Sequence, residues 1–357
     1  MTIPLLKTKL YPFIFTLLIT VVLLAPACGG PALPASPPPA ATPTMNSDPA
    51  PSVYSSRRAK VGSRTGPVPN LRFERISVEH GLSHSTVNCI LQDSKGFMWF
   101  GTDDGLNRYD GYSFTVYKHN PDDPHSLSHN RVWSLFEDAS GVLWVGTYGG
   151  GLNRFDRDSG RFTHYDAEDF QNVTDEPEEF RNVIWAIGEH PAGVLWVATY
   201  GGGLVKFDLD TESFTSYAPD PADPKFGGHE WISGLLVDRS GNVWTGTHSE
   251  GLDRFDPTTG QITSYRHDPN DPDGLGHDWI TDIIQDRSGQ IWIGTYGGGL
   301  ERFDPETESF THYRRDPADP HSLSDDDLWS IVEDASGVLW IGSYSGGLDA
   351  FDPQSET

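Results

Sequence analysis

Six positions in this chain share one setting: Asp103, Tyr148, Tyr200, His248, Tyr296 and Tyr344 each follow a tetrapeptide close to Trp-x-Gly-Thr and precede a glycine-rich turn. Four tyrosines at equivalent places offer flat rings with a polar tip, suited to stacking on the faces of a sugar or gripping a peptide. His248 and Asp103 break the series, and an exception within a repeat is a better candidate for a special role than the rule. The plainer alternative is that a tyrosine ahead of a glycine run packs over the neighbouring turn.

The elements that must position these residues follow from the phrase around them. Trp99, Trp144, Trp196, Trp244, Trp292 and Trp340 each open a copy, at spacings of 45 to 52 residues, and each copy continues into Leu, a short spacer and Phe or Tyr (Phe351 in the last copy), then Asp. A period in this range marks a repeat array. Within the second copy, residues 132–137, 142–147, 151–156 and 161–165 have strand chemistry, and turn residues such as Asp138-Ala139-Ser140-Gly141 separate them. The expected fold is all-β: a propeller of six four-stranded antiparallel blades, with Trp and Phe filling the space between sheets. The last copy stops before its fourth strand, so residues 71–77 are expected to complete that blade and close the ring.

In such a propeller the turns carrying the six residues open at one mouth of the central channel. His125, His129, Asn130, His229, Glu230, His277, Asp278 and Asp326 lie on connections that reach the same mouth. Catalysis needs singular, positioned groups, whereas most carboxylates here recur in every copy as scaffold residues do. No enzyme activity is therefore expected; the alternative is a polysaccharide-active propeller lyase or hydrolase using His248 with a nearby carboxylate. The 13 histidines lack a close metal spacing, so neither a transition metal nor a cofactor is expected. Asp-Pro phrases at 121–124, 220–224, 268–272 and 316–320 carry oxygens that calcium would accept, but they read better as rigid turns.

The net charge of −26 on 357 residues speaks against nucleic acid as a partner. Residues 1–27, with Lys7 and Lys9 ahead of an apolar run from Leu10 to Leu24, read as an export signal. The stretch Leu24-Ala25-Pro26-Ala27-Cys28 resembles a bacterial lipobox, with Ala25 where leucine is usual, so Cys28 is the expected lipidation site. Residues 28–70, rich in Pro, Ala and Ser, are the expected disordered tether, and 71–357 the propeller. Cys89, in an apolar strand, is expected to be buried and inert.

Leu82-Ser83-His84-Ser85-Thr86-Val87, Asp93 to Thr102, Asp104 to Gly111 and the loop Asp122 to Ser128 together resemble the two-component regulator propeller repeat. That repeat forms the extracytoplasmic sensor region of bacterial hybrid histidine kinases, and the likeness covers roughly residues 71–353. It implies a sensory module outside the cytoplasm; with lipidated Cys28 and the tyrosine ring, the expectation is a module anchored to the outer face of the cytoplasmic membrane that binds a carbohydrate, a peptide or a protein. No kinase follows residue 357, so a membrane sensor kinase is the implied partner, unless the chain is the truncated sensor portion of such a kinase.

Overall fold

The computed structural model describes residues 76–166, 169, 182–200, 202–217 and 232–356. The leader, Cys28 and the tether lie outside them, as do residues 71–75, the 220–224 phrase, His229, Glu230 and most of the stretch between Asp166 and Asn182. The described residues form six antiparallel sheets, five of four strands and a last one of three, each with its strands in sequence order. They are the blades of a six-bladed propeller. Blade 2 runs Val132–Glu137, Leu143–Thr147, Leu152–Asp156 and Arg161–Tyr165, as its alternating residues and turns predict. Blade 6 consists of Leu328–Glu333, Leu339–Ser343 and Leu348–Phe351. Of the segment expected to complete blade 6, only Ile76 and Ser77 are described; they lead into a single 3-10 turn, Val78–His80, that the sequence had not suggested.

Each residue of the repeated phrase has a structural duty. The turn aspartate is buried at Asp93, Asp138, Asp238 and Asp286. Asp138 accepts the backbone N–H groups of Ser140 and Val142 at 2.9 Å each, and its second oxygen accepts the Trp144 indole N–H at 2.8 Å. The indole bond recurs at Trp99, Trp244, Trp292 and Trp340. Blade 3 has His190 instead of the aspartate, and Trp196 bonds to its backbone carbonyl at 3.1 Å. The threonine closes the next turn: Thr147 donates to the Gly151 carbonyl at 2.9 Å and accepts the Gly150 N–H at 3.1 Å. The glycine permits close approach, because a Cβ on Gly101, Gly146 or Gly246 would run into Val132, Ile184 or Ile280 of the following blade.

The core lies in the junctions between blades. Five clusters of buried side chains each join two successive blades, from blade 1 to blade 6. In each, the tryptophan and first leucine of one blade meet the aromatic residue of the next: Trp99 with Phe155, Trp144 with Phe207, Trp196 with Phe255, Trp244 with Phe303 and Trp292 with Phe351. All five indoles are at most 1% exposed. At about 25 cal/mol per Å2 of apolar surface, these junctions supply most of the driving force for folding.

Candidate functional site

Turns after each second strand and the starts of the inner strands converge at one mouth. Backbone bonds stitch them together: Tyr148 N–H to Arg131 O, Gly149 N–H to Asn182 O, Tyr296 N–H to Trp279 O and Gly297 N–H to Asp326 O. This geometry brings together the tyrosines and His248, and adds Trp133 and Trp185 from inner strands and Trp279 from just ahead of one. Trp133 lies 5.9 Å from Tyr148 and 5.0 Å from Trp185, measured between ring centres. Trp185 stacks on Tyr200 at 6.3 Å and meets His248 edge-on at 5.9 Å. His248 lies 5.0 Å from Trp279, which stacks on Tyr296 at 4.4 Å, and Tyr296 meets Tyr344 at 6.1 Å. The result is an unbroken belt of aromatic rings from blade 2 to blade 6.

Charged groups make contact with the belt at both ends, and Glu250 and Asp278 flank its middle in the chain beside His248 and Trp279. At the blade 1 end, Asp103 accepts from Arg131 at 2.9 Å and from Asn88 at 3.0 Å. Burial raises the Asp103 carboxyl, and those bonds together with the Arg131 charge more than reverse it, leaving it below the ordinary value. The Arg131 guanidinium also lies 4.8 Å from the centre of the Tyr148 ring. At the blade 6 end, burial and the neighbouring Asp325 and Asp326 push Asp327 up. Burial with Asp327 and Tyr344 nearby pushes the Tyr296 hydroxyl up as well. His248 is held down by burial, which keeps its imidazole neutral near pH 7. The belt is thus a run of rings at varied tilts, with a cation at one end and carboxylates at the other.

Several residues singled out by sequence turn out to hold the backbone. His129 and His277 accept the N–H groups of Arg131 and Trp279 at 3.1 and 3.0 Å. Asn130, Asp278 and Asp326 accept those of His119, His267 and Arg315 at 2.6 to 2.8 Å. In the described Asp-Pro loops, Asp123, Asp268 and Asp316 each accept an N–H two residues on, which is the turn reading. Burial pushes the Cys89 thiol up to about 12, so it forms no thiolate at neutral pH. Sequence reasoning missed Trp133, Trp185 and Trp279. Their signal was present, since an indole near the start of an inner strand is larger than the inner wall of a narrow sheet requires.

The two-component regulator propeller family matches residues 81–104, 126–149, 274–297 and 322–345, one repeat at a time and in the register described above. The chain carries two-component regulator propeller repeats. A stretch of 54 residues is 46% identical to Histidine kinase P4 of Formosa agariphila, covering 15% of this chain and 4% of that one. The chain is also similar to the extracellular domain of the hybrid two component system BT3049 from B. thetaiotaomicron, with a TM-score of 0.56 and 26% identity over 78% of this chain and 41% of that one. A second extracellular domain from that organism, of the one component system BT4673, gives a TM-score of 0.60 and 26% identity over 76% and 35% of the two chains. The chain spans less than half the length of each of these proteins.

Proposed function

We propose that this propeller is a sensory module on the outer face of the cytoplasmic membrane, tethered through lipidated Cys28, that binds a carbohydrate or peptide across the aromatic belt without catalysis. Occupancy is passed to a membrane sensor kinase. The unbroken run of rings from Tyr148 to Tyr344 carries the reading. Flat apolar faces with polar rims are how proteins hold sugar rings and peptide side chains alike. The leader, and the likeness to extracellular domains of two-component systems, support the location. The non-catalytic reading is supported by Asp103, whose carboxylate is committed to Arg131 and Asn88.

The test is thermal melting against panels of oligosaccharides and short peptides. A ligand at about 100 times its Kd should stabilise the native state by about 2.7 kcal/mol. Trp279→Ala, which removes the ring between His248 and Tyr296, should abolish the shift while the protein without ligand still melts cooperatively. An unchanged shift in Trp279→Ala would place the ligand elsewhere, and no shift with either panel would refute a small-ligand receptor.

A further inference from the structure

Every junction between blades has a leading half on one blade and a trailing half on the next. The leading half is the tryptophan, a small residue two positions on (glycine, or Ala198 in blade 3), and the first leucine of the third strand. The trailing half is an aliphatic residue at the start of the inner strand, another three residues on, and the aromatic residue ahead of the second turn. A Glu or Gln at the end of the inner strand adds a hydrogen bond by accepting an N–H from the preceding blade: Glu137 from Ser94, Glu189 from Ala139, Gln285 from Arg239 and Glu333 from Arg287.

Blade 6 carries a complete leading half that meets no other blade among the described residues. Leu348 is 52% exposed, whereas Leu106, Leu152, Leu204, Leu252 and Leu300 at the same position are 0% exposed. Val332, on the same face as Trp340, is 60% exposed. A Cβ added at Gly342 would meet only Ser330 of its own blade, so the cradle that receives Val132, Ile184 or Ile280 elsewhere is empty here. Blade 1 carries a complete trailing half: Val87, Ile90, Gln92 and Tyr109. Ile90 is 59% exposed, whereas Ile283 and Ile331 at its position are 3% and 4% exposed. The large exposed hydrophobic residues among those described all lie on blades 1 and 6 or on the segment leading into blade 1.

We infer that these two faces are the halves of a sixth junction and that the occupant is a second copy of this chain, blade 6 of one molecule seated on blade 1 of the next. The recognition chemistry is the one the molecule already uses five times within itself. The two faces match position by position, the leading half of blade 6 with the trailing half of blade 1. Such a contact is heterologous, so it builds head-to-tail chains rather than a symmetric pair. Ala350 stands where Arg108, Arg154, Lys206, Arg254 and Arg302 precede the aromatic residue in the other blades, so this junction is held by apolar contact and by Gln92 rather than by an ion pair.

Sedimentation of the full chain in mild detergent tests the inference and does not depend on the ligand reading. Association should grow with concentration, and Leu348→Glu or Ile90→Glu should each weaken it about 30-fold or more, the loss expected of a central apolar contact. An equimolar mixture of the two variants has one intact pair of faces and should form a dimer and nothing larger. Both positions are surface-exposed in the single molecule, so the variants should fold, and Val332→Lys with Val116→Lys repeats the test at two further exposed sites. A wild-type chain that stays monomeric at every concentration, whether closed on itself or open, overturns the inference. So does association that both variants leave intact, or a mixture that fails to dimerise.

Discussion

The turn aspartates show how much one side chain can hold. Each accepts turn N–H groups and anchors an indole, all but Asp334 are buried, and Asp93 also pairs with Arg157 of the next blade. Burial alone would raise these carboxyls, but the hydrogen bonds more than reverse it at Asp93, Asp138 and Asp286 and bring Asp334 to about 2. A folded-state pKa below the unfolded value of about 3.9 gives stability that is present above pH 4 and lost as pH falls toward 2. Melting temperature should therefore fall steeply between about pH 4 and pH 2. Asp138→Ala should cost about 1 to 3 kcal/mol at pH 7 and flatten that slope, both readable from urea titrations at several pH values.

At the scale of elements, the blades differ in how the third strand grips the connection ahead of it. In blades 1 and 2, Asn107 and Asn153 accept the N–H of Ser83 and Ser128 and donate to their hydroxyls. Blade 5 has Glu301 and Gly276 at these places; a Cβ at Gly276 would collide with the Glu301 carboxylate, so the longer acid and the smaller partner belong together. Glu301 bonds to His312, yet burial pushes it up to about 7, and one of its oxygens has no hydrogen-bond partner. A raised acid pKa stabilises the fold fully below about pH 4.5, and that contribution is lost as pH rises through 7. Gly276→Ser alone should destabilise by about 1 to 3 kcal/mol. Glu301→Asn with Gly276→Ser should recover the loss by rebuilding the blade 2 arrangement, and should remove the decline between pH 5 and pH 8. A double-mutant cycle with coupling near zero would break this account. Both residues were legible in the sequence as departures from the repeat, but not as a pair, because they stand 25 positions apart and meet only across two strands.

For the whole molecule, stability is a sum over junctions, which gives the tryptophans unequal weights despite equal sequence settings. Trp244 is 1% exposed and packs on Phe303 and Tyr265, so Trp244→Ala should cost about 3 to 5 kcal/mol. Trp340 is only partly buried and makes no ring contact among the described residues, so Trp340→Ala should cost clearly less in dilute protein. Equal losses at the two positions would mean that the blade 6 face is covered within the single molecule. Among the described residues the three-stranded last sheet also leaves the Leu348–Phe351 strand as an edge, a place where pairing with another chain is favourable.

The sequence by itself determined the repeat, the strand content, the six blades, the role of the tryptophans as filler between sheets and the family resemblance. These are properties of one repeat read six times, and alternation, turn chemistry and the Trp-x-Gly-Thr phrase are local enough to survive without a structure. Only the tertiary structure decided that Trp133, Trp185 and Trp279 join the tyrosines into one belt, and that His129, Asn130, His277, Asp278 and Asp326 serve the backbone instead. It also decided that the described residues make five junctions and leave the halves of a sixth exposed. The reason is physical: rings about 50 residues apart meet, or fail to meet, according to how each blade is rotated against the next. That rotation comes from packing across whole sheets and is written in no single repeat.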